Sequence, residues 1–527
     1  MYRILNIIKR EIARAALLLL LACAIQIGAL PLSNIPSAEA GEGTIIMARG
    51  VDADNLDPHL ATTTQSGQIN SLIFDTLVTL DEKTRVHPGL AEAWEISSDG
   101  RSYTFTIRKG IKCHDGSTFD ANSVKWNFDR IANPETNSPS LANWGNFVGS
   151  SVSGNKITLK LDNPFGPLLT KAGSMAFELI CPSSLSGAKY VPIGTGPWKF
   201  VSWVRNDRIK LERYEGYKNF HPMVKNPGAP YEKYLEVRVI PEPIARMAAL
   251  QTGEIHLTEP ALEEASDLVK DPKYQIITSD YTGQQVWASF TWRFPPFDDV
   301  RVRRAVGYAL DRNMYAAVAF EGLVKSSNCP IAPSFAAADQ NKCAEWGQSY
   351  NIVEAKKLLA EAGYGPNNPI NAVLSVHKLT GWDLMHQMMQ QHLKAIGINV
   401  KIETREVAAF FDYMKTENQR TSGTPLIWTM GYSGPDPDYL HTSWSQPGFV
   451  NMGLNSDMDK MLEDQRVLTV QARNLKIQEI IKYLLSNAYA IPLVSPGWGW
   501  LMAASSNVTG FKYIHVSSMK LNDVKLL

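Results

Sequence analysis

Residues 87–131 read HPGLAEAWEISSDGRSYTFTIRKGIKCHDGSTFDANSVKWNFDRI, and three kinds of local grammar follow one another inside them. Tyr103, Phe105 and Ile107 alternate with polar residues, which is the period of a half-buried strand. Asp99-Gly100 separates that run from Trp94-Glu95-Ile96, a hairpin signal. Asp115-Gly116-Ser117 supplies turn chemistry, and Asp120 stands where a helix N-cap belongs. After it, Val124, Phe128 and Ile131 recur at helical spacing, so one apolar stripe faces a core. The pattern is mixed, with strands and helices interspersed.

The same grammar extends in both directions. Ile157, Leu159 and Leu161 alternate, as do Leu235, Val237 and Val239. Asp299 caps a helix with Val302, Val306 and Ala309 on one face. Asn351 and Glu354 resemble a capping box ahead of Ala355, Leu358 and Ala362, and Gly363 ends that helix. A further helix is expected from about Trp382 to Ile396; it stops at Gly397 and feeds a strand at Ile398, Val400 and Ile402, a helix-Gly-strand unit typical of α/β chains. Arg301, Arg303 and Arg304 are expected to form a solvated helix face. The stretch WRFPPFDD, residues 292–299, is the sharpest punctuation in the middle of the chain, since Pro295-Pro296 fits neither a helix interior nor a central strand.

The N-terminus is expected to be an export signal. Arg3, Lys9, Arg10 and Arg14 precede an uncharged apolar run at residues 15–30, and Ala38-Glu39-Ala40 places small residues for cleavage after Ala40. Leu20-Leu21-Ala22-Cys23 approaches a lipoprotein site, but the apolar run continues past Cys23, so soluble export to the periplasm is preferred. The 487 residues after Ala40 are too many for one core, and two or three domains are expected. Lys plus Arg and Asp plus Glu each total 52, which leaves no field to steer the chain to nucleic acid or an anionic membrane. Once Cys23 leaves with the signal, Cys113, Cys181, Cys329 and Cys343 remain for an oxidising compartment. Cys329 with Cys343 is the better candidate disulfide, Cys113 with Cys181 the weaker, and buried free thiols are the alternative.

Motifs for chemistry are missing. There is no Walker loop, H-E-x-x-H or G-x-S-x-G, and no cysteine pair has zinc-finger spacing. His386 and His392 are six residues apart, which misses the spacing that sets two ligands on one helix face. Met385, Met388 and Met389 read as adaptable core filler. No catalytic residue, metal or cofactor is expected.

Several segments, in order, resemble the family 5 extracellular solute-binding proteins, whose members bind peptides, nickel and opines. They are Asn55-Leu56-Asp57-Pro58-His59, Ile73-Phe74-Asp75-Thr76-Leu77, residues 87–131, Gly194-Thr195-Gly196-Pro197-Trp198, AALQTGEI at 248–255, PPFDDVRVRRAVGYALDR at 295–312, residues 355–364 and 397–400, and Ile491-Pro492-Leu493. The resemblance implies a two-lobed periplasmic binding protein fold of α/β class with a hinge. It divides the chain into a first lobe of 41–84, 191–285 and 495–527, an extra subdomain of 85–190, and a second lobe of 286–494. The hinge crossings fall at 281–291 and 495–501. It further implies a monomeric, non-enzymatic subunit of an ABC importer that traps a peptide or peptide-like solute between its lobes and docks on membrane permease subunits. An opine, an oligosaccharide or chelated nickel is the alternative ligand on the same fold, and an exported hydrolase is the alternative of a different class.

The resemblance also places the site. Backbone at Asp75, Thr76 and Leu77 from the first lobe, and at residues 431–434 from the second, would pair with an extended ligand. Trp428 and Tyr432 would add stacking surface, with Trp428 equally readable as core, and Ser433 and Gly434 continue the segment. Peptide-binding relatives carry an aspartate three residues after this aromatic to hold the peptide amino terminus, but here that position is Pro435. Either Asp436 takes over as anchor, with Asp438 the second candidate, or the ligand is not an ordinary peptide with a free amino terminus.

Overall fold

The computed structural model describes residues 43–527 apart from 188, 279–282, 378–381, 419, 447–454, 469, 496–500 and 516–517. The expected signal and its cleavage point after Ala40 therefore lie outside the described residues. Three sheets organise the rest. A seven-stranded sheet runs in the order Trp198–Val204, Arg208–Arg213, Tyr234–Val239, Thr44–Arg49, Leu257–Thr258, Met502–Ser505, Tyr274–Ile277. It draws on the beginning, middle and end of the chain. Thr44–Arg49 lies parallel to both its neighbours. Ile45, Met47, Ile209, Leu211, Leu235 and Val237 point to one core, which the helix Thr64–Ile73 covers with Ile69, Leu72 and Ile73.

A five-stranded sheet forms the second lobe, in the order Ile398–Arg405, Ile370–His377, Leu426–Ser433, Gln284–Phe290, Ile491–Pro492. Gln284–Phe290 is buried at every residue because both faces of the sheet are covered. Val286, Ala288 and Phe290 enter one core, and Trp287 enters the other with Leu426, Trp428 and Met430. Residues 284–290 belong to a central strand, and on the return Val494–Ser495 pairs with Lys325–Ser326. Residues 281–282 and 496–500, expected in the crossings, lie outside the described residues.

The hairpin-plus-helix unit forms as its residues dictate. Ala91–Ile96 pairs antiparallel with Ser102–Ile107, Trp94 opposite Phe105, in a four-stranded sheet completed by Lys156–Leu161 and Phe147–Ser153. Gly100 takes φ +69° at the tip, a region that favours glycine. The Asp120 carboxylate accepts from the amides of Asn122 and Ser123 at 2.9 and 3.0 Å, capping the helix Ala121–Ala132. Val124, Phe128 and Ile131 are buried with Phe105, Ile157 and Leu159.

Both cysteine pairs are disulfides: Cys113–Cys181, with Cα atoms 6.3 Å apart, and Cys329–Cys343, at 5.2 Å. One expectation fails. Arg303 is 3% exposed, not solvated. Its guanidinium donates to the carbonyls of Phe297, Asp298 and Asn487, and Arg304 donates to that of Ser486. Ser486 ends the helix Val470–Ser486, whose last carbonyls lack intrahelical donors, so the two arginines cap a neighbouring helix. Only Arg301, paired with Asp299 at 2.6 Å, keeps a surface role.

Candidate functional site

The strand Leu426–Ser433 carries Trp428, Tyr432 and Ser433, the residues expected for a second-lobe site. One edge is paired along its whole length by Gln284–Phe290, with Gln285 opposite Tyr432 and Gln284 opposite Ser433. Among the described residues the other edge is paired only at Leu426, Ile427 and Trp428, by Val373, Leu374 and Ser375. Beyond Trp428 the His377 ring bonds to the Thr429 backbone, and no strand among the described residues covers 430–433. An uncovered strand edge presents alternate N–H and C=O groups to whatever lies in front of it. Burial pushes the His377 imidazole down to about 4, so it acts there as a neutral hydrogen-bonding ring.

Gly434 follows the strand and packs against Gly283. Gly283 has φ +71°, and a Cβ there would meet the Gly434 carbonyl at 2.1 Å. The strand end thus requires glycine at a point beside the lobe crossing.

Trp428 presents no stacking surface. It is 0% exposed and lies in the core with Trp287, Tyr439 and Trp444, because its place in the strand points it into the sheet's covered face.

Asp436 and Asp438 lie just past the strand end, buried at 4% and 1% exposure. Arg473 grips Asp436 through two bonds, at 2.5 and 2.9 Å, and Thr170 Oγ1 donates to the same carboxylate at 2.5 Å. Arg466 holds Asp438 at 2.9 Å, Gln465 donates to it at 2.9 Å, and the Lys171 ammonium is 3.3 Å away. Burial by itself raises the Asp438 carboxyl; the charges of Lys171 and Arg466 overcome that and hold it well below the usual carboxylate range. Thr170 and Lys171 come from the helix Leu168–Lys171 beside the four-stranded sheet, so this cluster ties that unit to the second lobe. The Gly166 amide adds a bond to the Arg466 carbonyl at 2.5 Å. Beside Asp436 a cavity of about 780 Å³ opens between the two bodies.

The first-lobe residues sit elsewhere. The carbonyls of Asp75, Thr76 and Leu77 accept from the amides of Leu179, of Leu90, and of Gly89 and Ala91 respectively. Their acceptors are thus committed inside the fold. The Asp75 carboxyl accepts from Thr195 Oγ1 at 3.1 Å and Tyr217 at 3.5 Å, with the Lys520 ammonium 3.9 Å away. Glu178 lines the same small cavity, is 3% exposed, and its Oε2 has no partner among the described residues. Burial raises both carboxyls, Glu178 well above its ordinary value, and lowers the Lys520 ammonium.

The structure therefore brings the strand edge and Asp436 together and leaves Asp75 in a separate pocket. Sequence reasoning missed Thr170, Lys171, Arg466 and Arg473. Arg473 meets Asp436 across 37 residues and Thr170 across 266, so no local pattern joins them. The Asp436-Pro437-Asp438 run was the one local sign that cations had to converge there.

His386 and His392 make no joint site: one ring meets Thr429 Oγ1 at 2.9 Å, the other the Tyr315 hydroxyl at 2.8 Å. Among the described residues no group of three His, Cys, Asp or Glu is placed to hold a metal, and no helix is long and apolar enough to cross a membrane.

Comparison with known proteins follows the same lines. A family model described as bacterial extracellular solute-binding proteins, family 5 middle, matches residues 85–451. The glutathione-binding protein GsiB of Salmonella paratyphi A is 28% identical over 503 residues, spanning 92% of this chain and 94% of the relative. Of solved structures, the ABC transporter-associated periplasmic binding protein DppA of Helicobacter pylori, in complex with the peptide STSA, matches with a TM-score of 0.71 at 25% identity, over 92% of this chain and 98% of that one. The ABC transporter substrate-binding protein CtaP of Listeria monocytogenes matches with a TM-score of 0.80 at 21% identity, over 93% and 100%, a likeness of fold.

Proposed function

Given that this chain belongs to the family 5 bacterial extracellular solute-binding proteins, we propose that it binds a short peptide-like solute as an added strand along residues 430–433 of its second lobe. The chain is an extracytoplasmic substrate-binding subunit of an ABC importer for a peptide-like solute, not an enzyme. The single observation that carries the finer reading is the edge of Leu426–Ser433, paired on one side throughout and, among the described residues, on the other only as far as Trp428. Main-chain pairing to an open edge gives affinity without regard to side chains, which suits capture of peptides.

The lobes then close over the solute about the crossings next to Gly283 and Ser495, and burial of the ligand strengthens its few polar contacts. The closed form is what a membrane permease reads. The names of two relatives, one glutathione-binding and one holding the peptide STSA, support testing tri- and tetrapeptides first.

Asp436 is a poor anchor for a ligand amine in this arrangement, since Arg473 and Thr170 already occupy its oxygens. That favours a solute whose recognition does not rest on a free α-amino group. Calorimetric titration with glutathione, free tripeptides, an opine and an oligosaccharide tests the reading. Saturable binding of a peptide-like member is expected. Binding of the sugar or the opine alone overturns it.

A further inference from the structure

The cavity of about 780 Å³ beside Asp436 falls in the size range of small-molecule sites. Trp94, Tyr103, Phe165 and Leu169 line it from the four-stranded-sheet unit, and Phe335 and Val467 from the second lobe. Its polar groups are mutually satisfied. The Tyr103 hydroxyl donates to the Phe165 carbonyl at 2.9 Å, and Asp436 is held by Arg473 and Thr170. Most of what remains toward the cavity is carbon surface, with Ser97, Ser98, Asp99 and Asn474 as polar residues on its lining. Ile96 and Val467, 46% and 49% exposed, stand at this one cavity from the two different bodies, although large apolar side chains are costly to leave in water.

A ligand ammonium gains little from Asp436, a carboxylate already neutralised by the Arg473 guanidinium, and Lys83 stands on the same lining. Pro435 and Asp436, which follow directly on the strand carrying the open edge, form part of the wall, so a solute lying along 430–433 has this cavity near one of its ends.

We propose that the cavity receives an apolar, uncharged end group of the solute, an acyl or aromatic cap on a peptide-like body. This rests on the reading of the open strand edge as the peptide site and adds to it the chemistry of one terminus. Because the cap touches both bodies, its burial holds them together in the same sense as the Thr170–Asp436 and Lys171–Asp438 contacts.

The test uses trialanine, N-acetyl-trialanine and N-benzoyl-trialanine, titrated calorimetrically into the full-length exported protein and into Ile96→Glu and Val467→Glu. Both substitutions replace exposed side chains, and thermal unfolding checks that each variant is folded. Burying one aromatic ring predicts that the benzoyl peptide binds at least about tenfold more tightly than the free one. In each variant that ratio is expected to fall to within about twofold, as a carboxylate enters the apolar wall. Equal affinity for free and benzoylated peptides, or a benzoyl preference untouched in both variants, overturns the cap site and leaves the peptide reading standing. Absence of binding by all three peptides overturns the two together.

Discussion

Two buried acidic clusters in this protein solve the same problem by opposite means. At the end of the second-lobe strand, Asp436 and Asp438 face Arg473, Arg466 and Lys171, and every carboxylate oxygen near them is claimed. In the first lobe, Asp75 and Glu178 face Lys520 alone, and Glu178 Oε2 is left without a partner among the described residues. The first cluster balances its charge with guanidinium groups, whose fixed fork matches a carboxylate. In the second, burial and the neighbouring Asp75 raise the Glu178 carboxyl well above its ordinary value, against the pull of Lys520. The difference teaches what each region is for. Lys171 brings the other body to the first cluster, so the Lys171–Asp438 pair forms only when the two bodies meet. The pocket around Asp75 and Glu178 draws on no described residue of the second lobe.

The comparison breaks most visibly at Arg473. Arg473→Met strands Asp436 as a buried carboxylate, and removing one partner of such a pair costs about 3–5 kcal/mol. Urea unfolding is expected to show that loss near neutral pH. Arg473→Met combined with Asp436→Leu is expected to recover most of it, since a well-packed apolar replacement of both partners is often near neutral. A single variant as stable as wild type would mean that Asp436 already has another route to neutrality, and the contrast between the clusters would fail.

The sequence made some of this architecture readable and left the rest hidden for physical reasons. Local signals carried their own geometry: Asp99-Gly100 closed its hairpin, and Asp120, Asp299 and Asn351 capped the helices that follow them. Gln284–Phe290 was not legible as a strand. Its sequence, QQVWASF, has no alternation because both faces are buried, and it was read as a crossing between lobes. Which residues pair with the far edge of Leu426–Ser433 is set by the register of a strand 53 positions earlier, Ser375 opposite Trp428, which the segment's own residues do not encode. Arg303 looked like any surface arginine, and its burial depends on carbonyls at Asn487, 184 positions away. Trp428 was readable either way, and only the second covered face of the sheet decides for core.

A smaller effect is expected at Lys520, the one ammonium of the first-lobe pocket among the described residues. Besides facing Asp75 it donates to the Ser71 carbonyl at 2.7 Å. Lys520→Met is expected to cost about 2 kcal/mol near pH 7, the value of a charge-assisted bond lost from a buried group. In acid, where the carboxyls take up protons in both states, the ammonium is itself the unbalanced charge. The cost should then vanish or reverse. Chemical denaturation at pH 7 and pH 4 checks this, and a cost that grows in acid would mean that Lys520 serves Ser71 rather than the acids.

The smallest effect, and the one that separates the clusters most sharply, is Glu178→Gln. Folding raises this carboxyl above its ordinary value of 4.5, so between 4.5 and the higher folded value the native state binds more protons than the unfolded chain. Stability contributed by Glu178 is therefore full below 4.5 and falls as pH rises through that window. Glutamine has no such fall. Glu178→Gln is expected to match wild type at pH 4 and to exceed it by about 1 kcal/mol at pH 6. Asp438 runs the other way. Its carboxyl is held below the ordinary 3.8, so its contribution is present above that value and is lost only as pH drops through the folded one. Asp438→Asn should accordingly be destabilising at pH 6 and progressively less so in acid. Opposite pH slopes for the two variants, measured by thermal unfolding in one buffer series, are the expected result. Parallel slopes would show Glu178 to be ionised and paired after all, and the pocket would join the charge-balanced class.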